Sequence, residues 1–365
     1  MRINDSTPKA DGFYMPSELA KHRCTYLLWP EREDNWRFNA EYGQAAFKEV
    51  IQAIAKYEPV VVGVNKSQYL NLLEMNMPNV QIVEISNNDS WIRDTGATFV
   101  VNGLGRMRAV DWKFNAYGGL VNGLYFPWDQ DDYIAPKMAA IEAVDYYHLT
   151  DFVLEGGSVH SDGEGTILTT EETLLDPGRN PEMSKEQIEQ YLKDYLGAEK
   201  VLWIPKGIYM DEDTNGHVDN ICQFVAPGKV VLAWEDNEED PQHERSQMAY
   251  DYLSQQTDAK GRPIEIVKIH VPNPILITEE ESKGVDVVEG TFPRRPGDRL
   301  PASYINYYNC NGAIILPVFN DPHDQEAIDT LQALFPDKVI EPIYAREILL
   351  GGGNIHCITQ QVPLP

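Results

Sequence analysis

The chain has 365 residues, 42% hydrophobic and 24% charged, enough apolar material for a large core and too much for a disordered polymer. Its 57 acidic residues against 30 basic ones give a formal net charge of −27. Such a field repels phosphate backbones and anionic membranes, which argues against a nucleic-acid partner, and it admits a cation as ligand. Such a charge more often simply keeps a protein soluble. No run reaches the ~20 apolar residues of a membrane helix, and Met1–Ser6 lacks the apolar stretch of a signal peptide. The four cysteines, Cys24, Cys222, Cys310 and Cys357, are widely spaced with no C-x-x-C pair. That pattern fits a reducing cytoplasm rather than a disulfide framework or a structural zinc site.

In chain order, strand-like runs fall at Cys24–Trp29, Pro59–Val64, Val80–Ile85, Ala97–Val101, Gly165–Thr170 and Lys200–Ile204, and then at Ile221–Val225, Lys229–Trp234, Ile264–His270, Gly312–Val318 and Lys338–Ile343. Four amphipathic helices lie among them. Residues 45–57 put Phe47, Val50, Ile51 and Ile54 on one face. Residues 184–196 open on a capping box, Ser184 with Gln187, carry Ile188, Leu192 and Leu196 inward, and stop at Gly197. Residues 243–256 are expected to bury Met248, Tyr252 and Leu253, and 323–335 to bury Ile328, Leu331 and Leu334. No linker divides the chain, so residues 1–365 read as one α/β domain, and the helix spacing suggests about four or five related modules.

Polar residues gather at turns in four places: Asn88–Gly96, Leu154–His160, Asp213–Asn220 and Gly351–Thr359. In the last, three glycines precede Cys357, a turn that would leave a thiol partly exposed as a nucleophile must be; a buried core cysteine is the plainer reading. In His217-Val218-Asp219, strand alternation would put both polar side chains on one face, offering an acid–base partner, or simply a hydrogen-bonded surface histidine. Glu155, between apolar residues and two glycines, could orient that histidine or hold a cation, or face water in a turn. Asp94 could grip a cation or pair with Arg93. Trp91 could wall a flat cation or fill the core. Carboxylates near a cysteine raise its pKa, so such a site makes sense when the substrate itself supplies the positive charge; a guanidinium suits carboxylates well.

The segments Asn88–Gly96, Leu154–Thr166, Thr214–Asn220 and Gly351–Gln361, with the opening Thr7-Pro8…Asp11-Gly12-Phe13…Met15-Pro16-Ser17-Glu18 and Leu28-Trp29-Pro30, closely resemble the agmatine deiminase family. The resemblance runs from about residue 7 to the end, and it is the four dispersed motifs in order that make it specific. It implies a five-bladed α/β propeller, the pentein fold, with the site in the central channel. It implies Cys357 as nucleophile, His217 as acid–base partner, Glu155 as the carboxylate beside that histidine, Asp94 and Asp219 as the pair holding the guanidinium, and Trp91 beside the substrate. It also implies agmatine as the small cationic substrate, no cofactor, and a homo-oligomer. Ala97, where proline is expected, and Tyr26, where tryptophan is common, depart from the pattern. Two other readings stay open: deimination of free or peptidyl arginine, which needs a cationic clamp that the motifs offer only in Arg93, and a metal hydrolase using His217, Asp219, His356 and Cys357. The acidic run Asp211-Glu212-Asp213 could favour an amine tail or be a solvated turn.

Overall fold

The computed structural model describes every residue except 287, 289, 290 and 292. Its described strands form five separate sheets. One pattern recurs in all five: a first strand antiparallel to a second, and a helix that carries the second across to a parallel third.

In chain order the first module has second strand His22–Leu28, helix Glu41–Ile54 and third strand Val60–Val64, with Val80–Glu84 added at its edge. The next has strands Thr98–Val101, Met107–Lys113 and Tyr146–Val153, helix Ile134–Ile141 and the short N-terminal strand Arg2–Ile3. The third has Val159–Ser161, Thr166–Thr170 and Lys200–Ile204 around helix Lys185–Leu196. The fourth has Cys222–Ala226, Lys229–Trp234 and Glu265–His270 around helix Pro241–Leu253. The fifth has Tyr308–Cys310, Ala313–Val318 and Val339–Tyr344 around helix Asp324–Leu334. The missing first strand of the first module comes from the far end of the chain: Gln360–Pro363 pairs antiparallel with His22–Leu28. The expected α/β class is the architecture observed, and the modules number five where the helix spacing suggested four or five.

Local chemistry explains the elements. Val60–Val64 is buried throughout, as a parallel strand covered on both faces must be. Helix Lys185–Leu196 has both bonds of the Ser184/Gln187 capping box and ends on Gly197 at φ 70°, with Ile188, Leu192 and Leu196 buried. Asp240 caps the amide of Gln242 to start helix Pro241–Leu253. There the expected apolar face holds at Leu253, is half-buried at Tyr252 and fails at Met248. Met248 is 37% exposed, while Ala249, Leu253, Gln242 and Ser246 face inward. The inward polar pair is satisfied internally, Gln242 Nε2 donating to Ser246 Oγ and that hydroxyl to the Ala233 carbonyl. Ile328 and Leu334 are only half-buried, leaving Leu331 to anchor its helix.

Each first strand is entered through a short polar turn: Ile92–Thr95, Gly156–Ser158, Val218–Ile221, residues 303–307 and residues 353–359. The five entries touch. The Gly157 amide donates to Asp94 at 2.9 Å, the Arg93 amide to the Cys357 carbonyl at 3.2 Å, the His356 amide to Asn306 Oδ1 at 3.0 Å, and Ser303 Oγ to the Asn220 carbonyl at 2.6 Å. The modules therefore surround one centre.

Candidate active site

The four motifs found in the sequence supply four of the five entries, which brings Trp91, Asp94, Glu155, His217, Asp219 and Cys357 together. All six side chains are buried. The third motif is a helical turn with His217 as its N-cap, not the strand that alternation suggested. His217 and Asp219 still reach the same centre because they flank the first step of that turn. Cys357 is 2% exposed rather than partly open, since the 353–359 turn tucks beneath Trp91.

Cys357 Sγ lies 3.3 Å from Asn306 Nδ2 and 3.7 Å from Asp219 Oδ2. Burial raises the thiol well above its usual range, and the negative charges of Asp219 and Asp94 add to the effect. His217 Nδ1 is 3.8 Å from Asp94 and its Nε2 3.8 Å from Glu155, ion-pair distances too long for hydrogen bonds, so both nitrogens lack a partner. Burial opposes its charge, yet Asp94, Glu155 and Asp219 outweigh that and hold the imidazole up at about 9. Asp94 accepts from the Gly157 amide and from the Tyr117 hydroxyl, each at 2.9 Å. Burial lifts its carboxyl to about 6, with Asp219 adding and His217 opposing. Asp219 Oδ1 has no partner. Gly157 forms the floor between these groups: a methyl there would stand 2.7 Å from His217 Nδ1, 2.8 Å from Asp219 Oδ2 and 3.0 Å from Asp94 Oδ1.

Arg93 does not pair with Asp94. Its Nη1 donates to Glu18 at 3.0 Å. Glu155 is wholly buried, so it is no turn carboxylate facing water; Arg179 Nε donates to it at 2.8 Å. Burial would raise Glu155, but the Arg179 guanidinium holds it below the usual range. Trp91 serves core and site together: it stacks on Trp36 with centroids 5.3 Å apart, donates to Asp89 at 3.0 Å, and packs over Gly353. In the acidic run only Glu212 faces solvent. Asp211 is buried under the His217 and Thr214 amides, and Asp213 pairs with Arg294 at 2.6 Å. Ala97 and Tyr26 are buried in ordinary packing, Tyr26 donating to Glu142 at 2.6 Å. The alternative ligand set of His217, Asp219, His356 and Cys357 lies near one centre but is otherwise engaged: His356 Nδ1 is bonded to Asp219 at 2.8 Å, and no group of His, Cys, Asp and Glu among the described residues is disposed to hold an ion.

Sequence reasoning missed Arg179, Tyr117 and Asn306. Arg179 also donates to the carbonyls of Tyr117 and Thr214 and to Asn215 Oδ1, joining two modules. Its only local signal was the Pro177-Gly178 turn before it. Asn306 escaped because the three-residue strand it precedes was too short to predict.

A family model described as Porphyromonas-type peptidyl-arginine deiminase matches residues 14–363. A relative in Latilactobacillus sakei is 60% identical over 363 residues, covering 100% of this chain and 99% of that one. The agmatine deiminase of Pseudomonas aeruginosa is 52% identical over 361 residues, covering 99% and 98%. The solved agmatine deiminase of Enterococcus faecalis superposes with TM-score 0.97 at 49% identity, covering 100% of this chain and 99% of that one. With five modules meeting at a cysteine, a histidine and paired carboxylates, and with these relatives along its whole length, the chain belongs to the Porphyromonas-type peptidyl-arginine deiminase family, alongside the agmatine deiminases.

Proposed function

We propose that the chain is an agmatine deiminase, hydrolysing agmatine to N-carbamoylputrescine and ammonia, and that residues 1–365 act as one catalytic unit. The observation that carries this reading is a buried thiol beside two carboxylates and a raised histidine, a set that lacks one positive charge. A guanidinium held by Asp94 and Asp219 supplies that charge, and as the cation arrives the Cys357 proton passes to solvent, since His217 is already protonated. The thiolate then adds to the guanidinium carbon, forming a C–S bond. Protonated His217 gives its proton to one nitrogen, the C–N bond breaks, and ammonia leaves an amidino-cysteine cation. Neutral His217 takes a proton from water, the hydroxide adds to the same carbon, and the C–S bond breaks as the hydroxyl proton passes to the departing sulfur, releasing the neutral urea product and the Cys357 thiol. Glu155, held by Arg179, supports the charge on His217, and Trp91 lines the site. No cofactor enters the scheme.

Agmatine is favoured over arginine because a substrate carboxylate needs a cation to meet it. Among the described residues, each of the three arginines near the centre is already paired with a carboxylate: Arg93 with Glu18, Arg179 with Glu155 and Arg294 with Asp213. Cytoplasmic residence agrees with four free cysteines, and among the described residues no helix is long and apolar enough to cross a membrane. We also propose a homo-oligomer, checked by light scattering on the purified chain. The function is tested by ammonia release from agmatine, arginine and a blocked arginine peptide, before and after thiol alkylation. Agmatine alone should turn over, and alkylation should stop it; preferred turnover of either arginine substrate refutes the assignment.

A further inference from the structure

His356, next to the nucleophile, takes no part in these steps, yet it is fully buried with both ring nitrogens on carboxylates. Its Nδ1 is 2.8 Å from Asp219 Oδ2, and its Nε2 is 2.9 and 3.1 Å from the two oxygens of Glu18. Ionised carboxylates only accept, so both nitrogens carry protons and the ring is an imidazolium. Arg93 holds Glu18 from the other side at 3.0 Å. The remaining neighbour, His160, stands 3.9 Å from Glu18 and accepts the Phe224 amide on Nδ1; burial drives it down to about 4, so it is neutral. Burial and the Arg93 guanidinium, whose Nε donates to the His356 carbonyl at 3.3 Å, oppose the ring's charge, but Glu18 and Asp219 outweigh them and hold the imidazole up. With Oδ2 held by this imidazolium, rotation of the Asp219 carboxylate would break a charge-assisted hydrogen bond. Its Oδ1 is then the buried oxygen left without a partner, a state that a ligand N–H would relieve.

We propose that His356 is a positioning residue, clamped between Glu18 and Asp219 so that Asp219 keeps one carboxylate oxygen open for a guanidinium N–H. The proposal rests on the guanidinium reading above. It separates two histidines with opposite duties: His217 exchanges its proton during turnover, whereas His356 keeps both of its own.

Three substitutions in the full-length enzyme test it, each checked by its thermal melt. His356→Leu keeps bulk but removes the donor, and should raise the KM for agmatine tenfold or more. His356→Asn places an amide N–H near the lost Nδ1–H and should restore most of that KM, a rescue that lost packing would not produce. Glu18→Gln removes the carboxylate that holds the Nε2 proton. It should make KM rise as pH increases between about 6.5 and 9, where the wild type is flat by comparison. An unchanged KM in His356→Leu and a flat profile in Glu18→Gln overturn the proposal. Nitrogen-15 histidine spectra of the wild type at pH 7.5, assigned with whichever His356 variant folds, give a reading that needs no substrate. Two protonated ring nitrogens on His356 support the clamp, and a neutral ring overturns it. A wild type that releases no ammonia from agmatine refutes the substrate assignment instead, while the spectra still decide the state of His356.

Discussion

At Cys357 the immediate surroundings work against ionisation, because burial and two carboxylates all favour the neutral thiol. The free enzyme should therefore react slowly with iodoacetamide at pH 7, and a thiolate absorbance titration without ligand should show little ionisation there; substantial ionisation would contradict the requirement for a bound cation. Cys357→Ser should lose turnover by at least a thousandfold while melting like the wild type. The acid–base groups set a second expectation. His217 must be protonated to release ammonia, and its proton is lost above about 9. Asp94 must be ionised to hold a cation, and its charge is lost below about 6. The plot of kcat/KM against pH should thus be a bell with limbs near those two values, which belong to the interacting set rather than to single residues. Asp94→Asn should cut kcat/KM by at least a hundredfold.

Among the elements, the strand-entry turns do the positioning, and their demands differ from those of the helices that surround them. Gly157 can accept a side chain as far as its backbone goes, but a methyl would fill the space between His217, Asp219 and Asp94. Gly157→Ala should leave the protein folded and reduce kcat/KM for agmatine by about a hundredfold or more. Arg179 tests the opposite case, a group that supports the site from behind. Arg179→Met leaves Glu155 buried without its cation, which should destabilise the protein by about 3–5 kcal/mol in denaturant melts. The sequence made the long elements readable because their periodicity extends over several turns. Ser184, Gln187 and Gly197 marked both ends of one helix correctly. The four-residue turn Val218–Ile221 was misread as strand because one turn is too short to show any period. The Met248 error has a related cause: with Gln242 and Ser246 turned inward, the helix Pro241–Leu253 has a weak apolar stripe.

For the molecule as a whole, closure depends on its two ends meeting. Gln360–Pro363 completes the first module by pairing with His22–Leu28, and Cys357 sits on the turn just before it. Deleting residues 360–365 should therefore abolish cooperative unfolding as followed by circular dichroism, rather than merely shorten a tail; a truncated chain that still melts cooperatively would show that this strand is dispensable. The charge of −27 acts at the same scale. It should draw a cationic substrate to the protein, so kcat/KM for agmatine should fall as ionic strength rises while kcat changes little.

The sequence by itself determined the α/β class, the repeated module, four polar turns and, through its resemblance to a known family, six residues to look for at one site. These features are local or additive: periodicity, caps, glycine turns and composition are written within a few residues of where they act. Which carboxylate meets which cation was decided only by the tertiary structure. Arg93 stands beside Asp94 in the chain yet pairs with Glu18, and Glu155 finds its partner in Arg179. His356 read as a metal-ligand candidate until its two nitrogens were seen to end on Glu18 and Asp219. Buried charges must be satisfied by whatever lies next to them in space, and here the neighbours come from different modules of the chain.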